Sequence, residues 1–155
     1  MLLIWSSLAL LLRKYKTVWR MVNIVGLSLT VATILYVTLI SRSKGEQILR
    51  LVPFSSLEFA KQYNDVYKQI IMNIILFMPV GLTLPFVLES RKYAVLLTIL
   101  CALVFSATIE ACQFIFSRGE VETDDVFFNT LGAVIGIVPY LILGIVKKRT
   151  DKHGR

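Results

Sequence analysis

Histidine is almost absent from this chain, and its cysteines are in no arrangement that binds a metal. The single histidine, His153, lies near the C-terminal end, and Cys101 and Cys112 stand eleven residues apart. In a helix that separation is about 16 Å along the axis, too far for a disulfide. No CxxC or Cys/His spacing occurs, so neither a structural metal site nor a cofactor is expected. No Ser–His or Cys–His pair is available for nucleophilic catalysis. Internal repeats and low-complexity runs are missing as well. Charge is scarce inside the long apolar runs. Hydrophobic residues make up 56 % of the chain and mean hydropathy is +0.72, against roughly 45–50 % apolar for soluble domains. That excludes an ordinary water-soluble globule. A length of 155 residues leaves room for four or five membrane spans and no separate soluble domain.

The net charge of +7 invites a nucleic-acid reading, but the Lys and Arg residues fall between and after apolar segments. There they set topology and touch anionic headgroups. Membrane lipids are the expected partners, and nucleic acid is not.

Four segments have about the 20 residues needed to cross a bilayer: Met21–Ile40, Ile70–Leu88, Ala94–Phe116 and Val126–Val146. Because every backbone donor in lipid needs an internal partner, the fold class is all-α, a polytopic transmembrane helical bundle. Met1–Leu12 is a fifth, shorter candidate of about 18 Å as a helix. It has no basic residue before it and four after it, the reverse of a signal peptide. Snorkelling of the basic side chains within 13–17 favours spanning over an interfacial position. The chain divides into an N-terminal segment 1–20, a transmembrane domain 21–146 and a basic tail 147–155.

Orientation follows the basic residues. Connections 13–20 and 89–93 and the tail 147–155 carry eleven of the 17 Lys and Arg, while 41–69 and 117–125 carry six. The positive-inside rule places the tail in the cytoplasm and the loops 41–69 and 117–125 outside. In the longer loop, Ser55-Ser56-Leu57-Glu58 matches a capping box with Ser55 as N-cap, and Phe54 and Phe59 occupy the staple positions. This predicts a short amphipathic helix over 56–68 on the outer surface. Pro79 and Pro85 predict kinks in the second secure span.

Within Ser106–Gly136, polar residues interrupt apolar sequence. A charge inside a membrane helix costs about 2.5–3.5 kcal/mol on insertion scales, which makes Glu110 a functional candidate by default. At 100° per residue, Ser106, Glu110, Gln113 and Ser117 share one narrow face. Asp125, Asn129, Gly132 and Gly136 share another, and Gly132-xxx-Gly136 permits close helix approach. Asn73, Gln113 and Asn129 each stand about 5 Å in from the outer ends of their spans, and Glu110 about 9 Å. Arg118 can reach down to Glu110 or sideways to Asp124 or Asp125. Plainer roles stand beside these: helix capping for Asp124, interhelical hydrogen bonding for Asn73, Gln113 and Asn129, and structure for Ser106 and Ser117. The candidate binding set is Asn73, Glu110, Gln113, Arg118, Asp124, Asp125 and Asn129. Glu110, Arg118 and Asp125 are the groups from which acid–base chemistry could come. The residues name a polar pocket and leave open whether it is catalytic.

Four stretches together resemble the VanZ-like family of small bacterial membrane proteins: Leu51–Ser56, Asn73–Phe86, Ser106–Gln113 and Arg118–Gly136. The resemblance covers about residues 21–146. It carries over Asn73, Phe77, Pro79, Gly81, Glu110, Gln113, Arg118, Asp124, Asp125, Asn129 and Gly132. Arg50 departs from the Asn that relatives often have there. The resemblance implies a bacterial plasma-membrane protein of the cell envelope, some relatives of which give low-level resistance to lipid-bearing glycopeptides such as teicoplanin. The reading that results is an outward polar pocket that binds or modifies a lipid-linked or cell-wall-related ligand. The alternatives are a small transporter or flippase, which would need polar residues at mid-depth and at the inner ends, and a structural partner of another membrane protein.

Overall fold

The computed structural model describes residues 16–42, 49–88, 93–118 and 121–153. The proposed span Met1–Leu12 lies outside them. Five helices follow in order: α1, Lys16–Leu35, extended by a π-helical turn over Tyr36–Ile40; α2, Ser55–Ala60; α3, Asn64–Val87; α4, Ala94–Phe116; and α5, Thr123–His153. Two two-residue strands, β1 (Leu49–Arg50) and β2 (Val121–Glu122), pair in parallel with Arg50 opposite Glu122.

Four stretches are long and apolar enough to cross a membrane: Lys16–Ile40, Asn64–Val87, Ala94–Phe116 and Thr123–Ile145. The shortest, 23 residues, is about 35 Å long against a hydrocarbon core of about 30 Å. Polarity is inverted relative to a soluble bundle. Leu29, Val104, Ile115 and Ile145 lie more than 60 % exposed, while Glu110, Asp124 and Asp125 are buried. The chain is a multi-pass membrane protein with its apolar surface turned to lipid.

Helix α3 is the centre of the bundle, touching α1, α4 and α5, with its most extensive interface on α5. Glycine makes that interface possible. A Cβ on Gly132 would collide with the Ile74 carbonyl, one on Gly136 with the Met78 carbonyl, and one on Gly81 with the Ala133 carbonyl. The backbones are therefore in direct contact, as small-xxx-small seams allow. Phe77, Val80, Ala133 and, from α1 and α4, Ile34 and Ile109 fill the adjoining core. Near the C-terminal end of α3, Trp19 and Tyr140 each meet Phe86 edge-on, at 5.4 and 5.2 Å between ring centroids, an arrangement that complements the ring quadrupoles.

Ala94–Phe116 forms with the boundaries that its apolar run predicts. Elsewhere the helices outrun theirs. Helix α3 starts at Asn64, six residues before Ile70, because the polar turn 64–69 continues the same helix. Helix α5 runs on through His153 into the segment expected as a tail; Lys and Arg are good helix formers. The expected surface helix over 56–68 is divided instead between α2 and the start of α3. Pro79 and Pro85 lie inside α3, which stays continuous past both, as membrane helices permit when freed groups find other partners.

Candidate functional site

One end of the bundle gathers the close of α1, the start of α3, the close of α4 and the start of α5, together with the segments 49–63, 117–118 and 121–122. The polar residues singled out from sequence meet there. They form a set of adjacent pairs spread over this end.

Asp124 organises the longer loop. Its Oδ1 accepts from the Phe54 N–H at 2.6 Å and its Oδ2 from the Ser56 N–H at 2.9 Å. A carboxylate thus caps the N-terminus of α2, satisfying two donors that a helix start leaves open. This corrects the expected capping box. Ser55 lies inside the helix, the N-cap is Phe54, and no side chain of the cap residue bonds back. Phe54 holds a left-handed backbone (φ 62°), a strained conformation for a bulky side chain. Its ring is fixed edge-on against Phe127 at 5.2 Å. The local Ser–Glu pattern is overridden by a carboxylate some seventy positions away. Asp124 does cap a helix, but α2 as well as standing in the first turn of its own.

Glu122 ties the same loop down. Its Oε2 accepts from the Ser56 hydroxyl at 2.9 Å, and its Oε1 lies 3.8 Å from Arg50 Nε. The Arg50 guanidinium also sits over the Phe59 ring, 5.4 Å from its centroid. Arg50 therefore bridges Glu122 and Phe59 at this corner.

Asp125, one residue on, turns into the bundle. Asn73 Nδ2 donates to its Oδ1 at 2.7 Å, and the Gln69 side chain lies close by. Glu110 accepts from the Glu122 N–H at 3.2 Å. Among the described residues it has no ion-pair partner. Asn129 Nδ2 donates to Ser106 Oγ at 2.9 Å, and Gln113 Nε2 to the Thr38 carbonyl at 3.0 Å. That carbonyl lies in the last turn of the α1 extension, where acceptors lack helical donors. Gln113 Oε1 and Asn129 Oδ1 are buried acceptors with no partner among the described residues, and such groups are uncommon in folded interiors. Ser106, Glu110 and Gln113 are all buried, while Ser117 closes α4 with a left-handed backbone.

Arg118 does not pair as its position suggests. Its Nη1 donates to the Arg42 carbonyl at 2.8 Å, and it makes no ion pair with Glu110, Asp124 or Asp125. The cation that acts on Glu110 and Asp125 is Arg42, close enough to attract both carboxylates, which also repel each other. Sequence reasoning used Arg42 only as a topology marker. Its place immediately after an apolar span, at the end carrying the acids, was the available signal. Ser56, Gln69 and Glu122 were missed for want of long-range contacts. Among the described residues no group of His, Cys, Asp and Glu has a metal-holding arrangement.

Beside this cluster lies a cavity of about 540 Å³ between α4 and α5, with Glu110 and Glu122 among otherwise largely apolar lining residues. Glu110 therefore lies between the polar cluster and an opening to the bundle surface. The arrangement can present a carboxylate to a ligand from the membrane side.

These features define a small multi-pass helical membrane protein with a buried acidic and amide cluster at one end. The chain belongs to the VanZ/LLP1 family, whose profile matches residues 21–144. It is similar to Protein VanZ of Enterococcus faecium, at 32 % identity over 95 residues, which is 61 % of this chain and 53 % of that protein. The chain thus spans about half the length of that relative. No solved structure matches.

Proposed function

We propose that the protein sits in the bacterial plasma membrane with its C-terminus cytoplasmic and the polar end outward. There it binds or modifies a lipid-linked or cell-wall-related ligand and contributes to resistance against teicoplanin-type glycopeptides. The family membership, with the basic-residue asymmetry of the connections, supports this reading. The observation that carries it is Glu110: a buried carboxylate with no ion-pair partner among the described residues, placed where the polar cluster meets an open cavity. A carboxylate buried at membrane depth is costly and is kept where it does work.

The transporter alternative draws no support from the deeper polar groups. Asn23, Thr83 and Thr98 are buried, and each donates to a carbonyl four residues back in its own helix. They form no polar path through the bundle.

The test is susceptibility to a panel of envelope-targeting antibiotics, including teicoplanin and a glycopeptide without a lipid tail. Cells with and without the gene are compared, and the deletion is complemented by wild type or Glu110→Gln at matched membrane abundance. Protection restored by wild type and lost in Glu110→Gln is expected. Full protection by Glu110→Gln would refute the site.

A further inference from the structure

The corner between α1 and α3 has the inverted polarity of a membrane surface, although it belongs to no span. From Leu49 to Phe54 the sequence reads LRLVPF, and Leu49, Leu51, Val52 and Phe54 are 49–68 % exposed. The one charged side chain of this run, Arg50, is turned to Glu122 and the Phe59 ring. Leu57 and Phe59 add two more exposed apolar groups from α2. From Leu49 onward, a fully exposed charge first comes at Glu58, and the next at Lys61. Apolar groups gathered on a surface in this way mark a place where something other than water makes contact.

Lipid is the cover that the surroundings favour. Leu51 lines the cavity between α4 and α5 together with Leu103 and Val134, and the Phe54 ring stands edge-on to Phe127 at 5.2 Å. Phe127 is itself exposed and lies four residues inside the stretch Thr123–Ile145, about 6 Å along the helix. The corner thus meets α5 within the part able to cross the membrane, and its apolar surface continues the lipid-facing one. Its polar backbone is also satisfied inside the chain, as an apolar surrounding demands. Leu49 and Arg50 pair with β2, and Pro53 has no N–H. The Phe54 N–H goes to Asp124 at 2.6 Å, and the Val52 and Phe54 carbonyls accept from the Ser55 and Leu57 N–H groups at 3.3 and 3.2 Å. A protein partner would need hydrogen bonds, about one per 100–200 Å² of interface; a leaflet needs none. Further on, Tyr63 and Tyr67 are exposed, and tyrosine collects at headgroup level.

We propose that Leu49–Phe54, with Leu57 and Phe59, is a membrane-inserted corner whose apolar side chains enter the leaflet at the loop end of the bundle, while Glu58 and Lys61 stay at headgroup level. The sequence predicts a surface helix over 56–68; the structure moves the deepest part upstream, to a run that is not helical. Asp124 and Glu122 then hold inward the polar atoms of a corner that has no water to bond. The insertion is the same whichever leaflet that end faces. Resting on the reading of this end as a ligand site, it also puts the approach to Glu110, which shares its cavity with Leu51, on the membrane side.

The test is depth by spin-label resonance on the full chain, one copy per phosphatidylglycerol nanodisc, with Cys101 and Cys112 replaced by alanine. A single label is carried by Val52→Cys, Leu57→Cys, Lys61→Cys or Val104→Cys; Val104, exposed midway along α4, is the lipid reference. Collisions with oxygen, which gathers in lipid, are compared with those of a nickel chelate confined to water. Labels at Val52 and Leu57 should favour oxygen as the Val104 label does, and read about 5–10 Å inside the headgroup boundary, the depth of interfacial apolar faces. The Lys61 label should favour nickel. Each variant's thermal unfolding is matched to wild type. With both native cysteines kept, Val52→Trp should add fluorescence that bromine on the upper acyl chain quenches and aqueous iodide does not. Nickel preference at Val52 and Leu57, or iodide quenching of the new tryptophan, would overturn the proposal. Shielding of both labels from both reagents would mark a protein-covered surface and overturn it too, as would dipolar broadening between Val52 labels in discs holding two copies. Insertion with full antibiotic protection by Glu110→Gln would leave the corner standing and remove the ligand site; nickel preference with protection lost would do the reverse.

Discussion

Helix α5 has two flanks that solve opposite problems. Toward α3, glycines let the backbones touch, so that a single added methyl group would collide with a carbonyl. Toward α4, the same helix borders a cavity of about 540 Å³. One flank is a fixed hinge plate and the other an opening. In a membrane, where lipid exerts no hydrophobic drive between helices, a bundle is held by close packing and polar bonds. The closed flank supplies that holding energy. It leaves the open flank free to keep a cavity and an incompletely partnered carboxylate.

The sharpest way to break this contrast is Gly132→Ala combined with Gly136→Ala. Both new methyl groups meet backbone, which cannot swing aside, so a loss of about 3 kcal/mol or more is expected, at or beyond the usual range for overpacking. A large fall in the thermal unfolding midpoint in detergent would show it. Gly144, where an added methyl group would meet nothing within 4 Å, is the internal control, and Gly144→Ala should leave the midpoint unchanged or slightly raised.

Next in size is Asp124→Ala, which strips the acceptor from two N–H groups at the start of α2. About 2 kcal/mol is expected for groups left bare in a partly buried place. The loss should appear as faster amide hydrogen exchange in 54–60, with α3 protected as before. Asn73→Leu removes one of the donors that hold Asp125, and about 1.5–3 kcal/mol is the range for a hydrogen bond to a charged group. Because the Gln69 side chain also lies beside Asp125, the lower part of that range is expected from the unfolding midpoint. Smallest of all is Ala107→Trp on the open flank, which fills space facing lipid and should shift stability by no more than about 0.5 kcal/mol. A large destabilisation there would show that the two flanks are equally packed and that the contrast is wrong.

The spans were legible because apolar length is a direct demand of the bilayer. The start of α3 was not, since residues 64–69 continue a helix beyond its apolar run and composition alone cannot show where a helix leaves lipid. The Gly132/Gly136 seam was legible as a pattern, but its partner, α3, was not. The polar residues were legible as a set because each is expensive in an apolar segment. Their pairing was not. Arg118 was expected on a carboxylate and instead reaches the Arg42 carbonyl, while Arg42 supplies the charge that faces the acids. Asp124 was read as a cap for its own helix, yet both its oxygens are engaged by the loop around Phe54. Tertiary contacts across some seventy positions decide such choices, and no local pattern contains them.

The central claim is that the loop end, and Glu110 in particular, is the working part, while the rest of the bundle is its support. The most direct measurement is protection against teicoplanin per molecule of membrane-inserted protein, compared among wild type, Glu110→Gln and Gly144→Ala. Glu110→Gln should fall to the level of cells lacking the gene while Gly144→Ala matches wild type. Equal protection by Glu110→Gln and wild type would contradict the account.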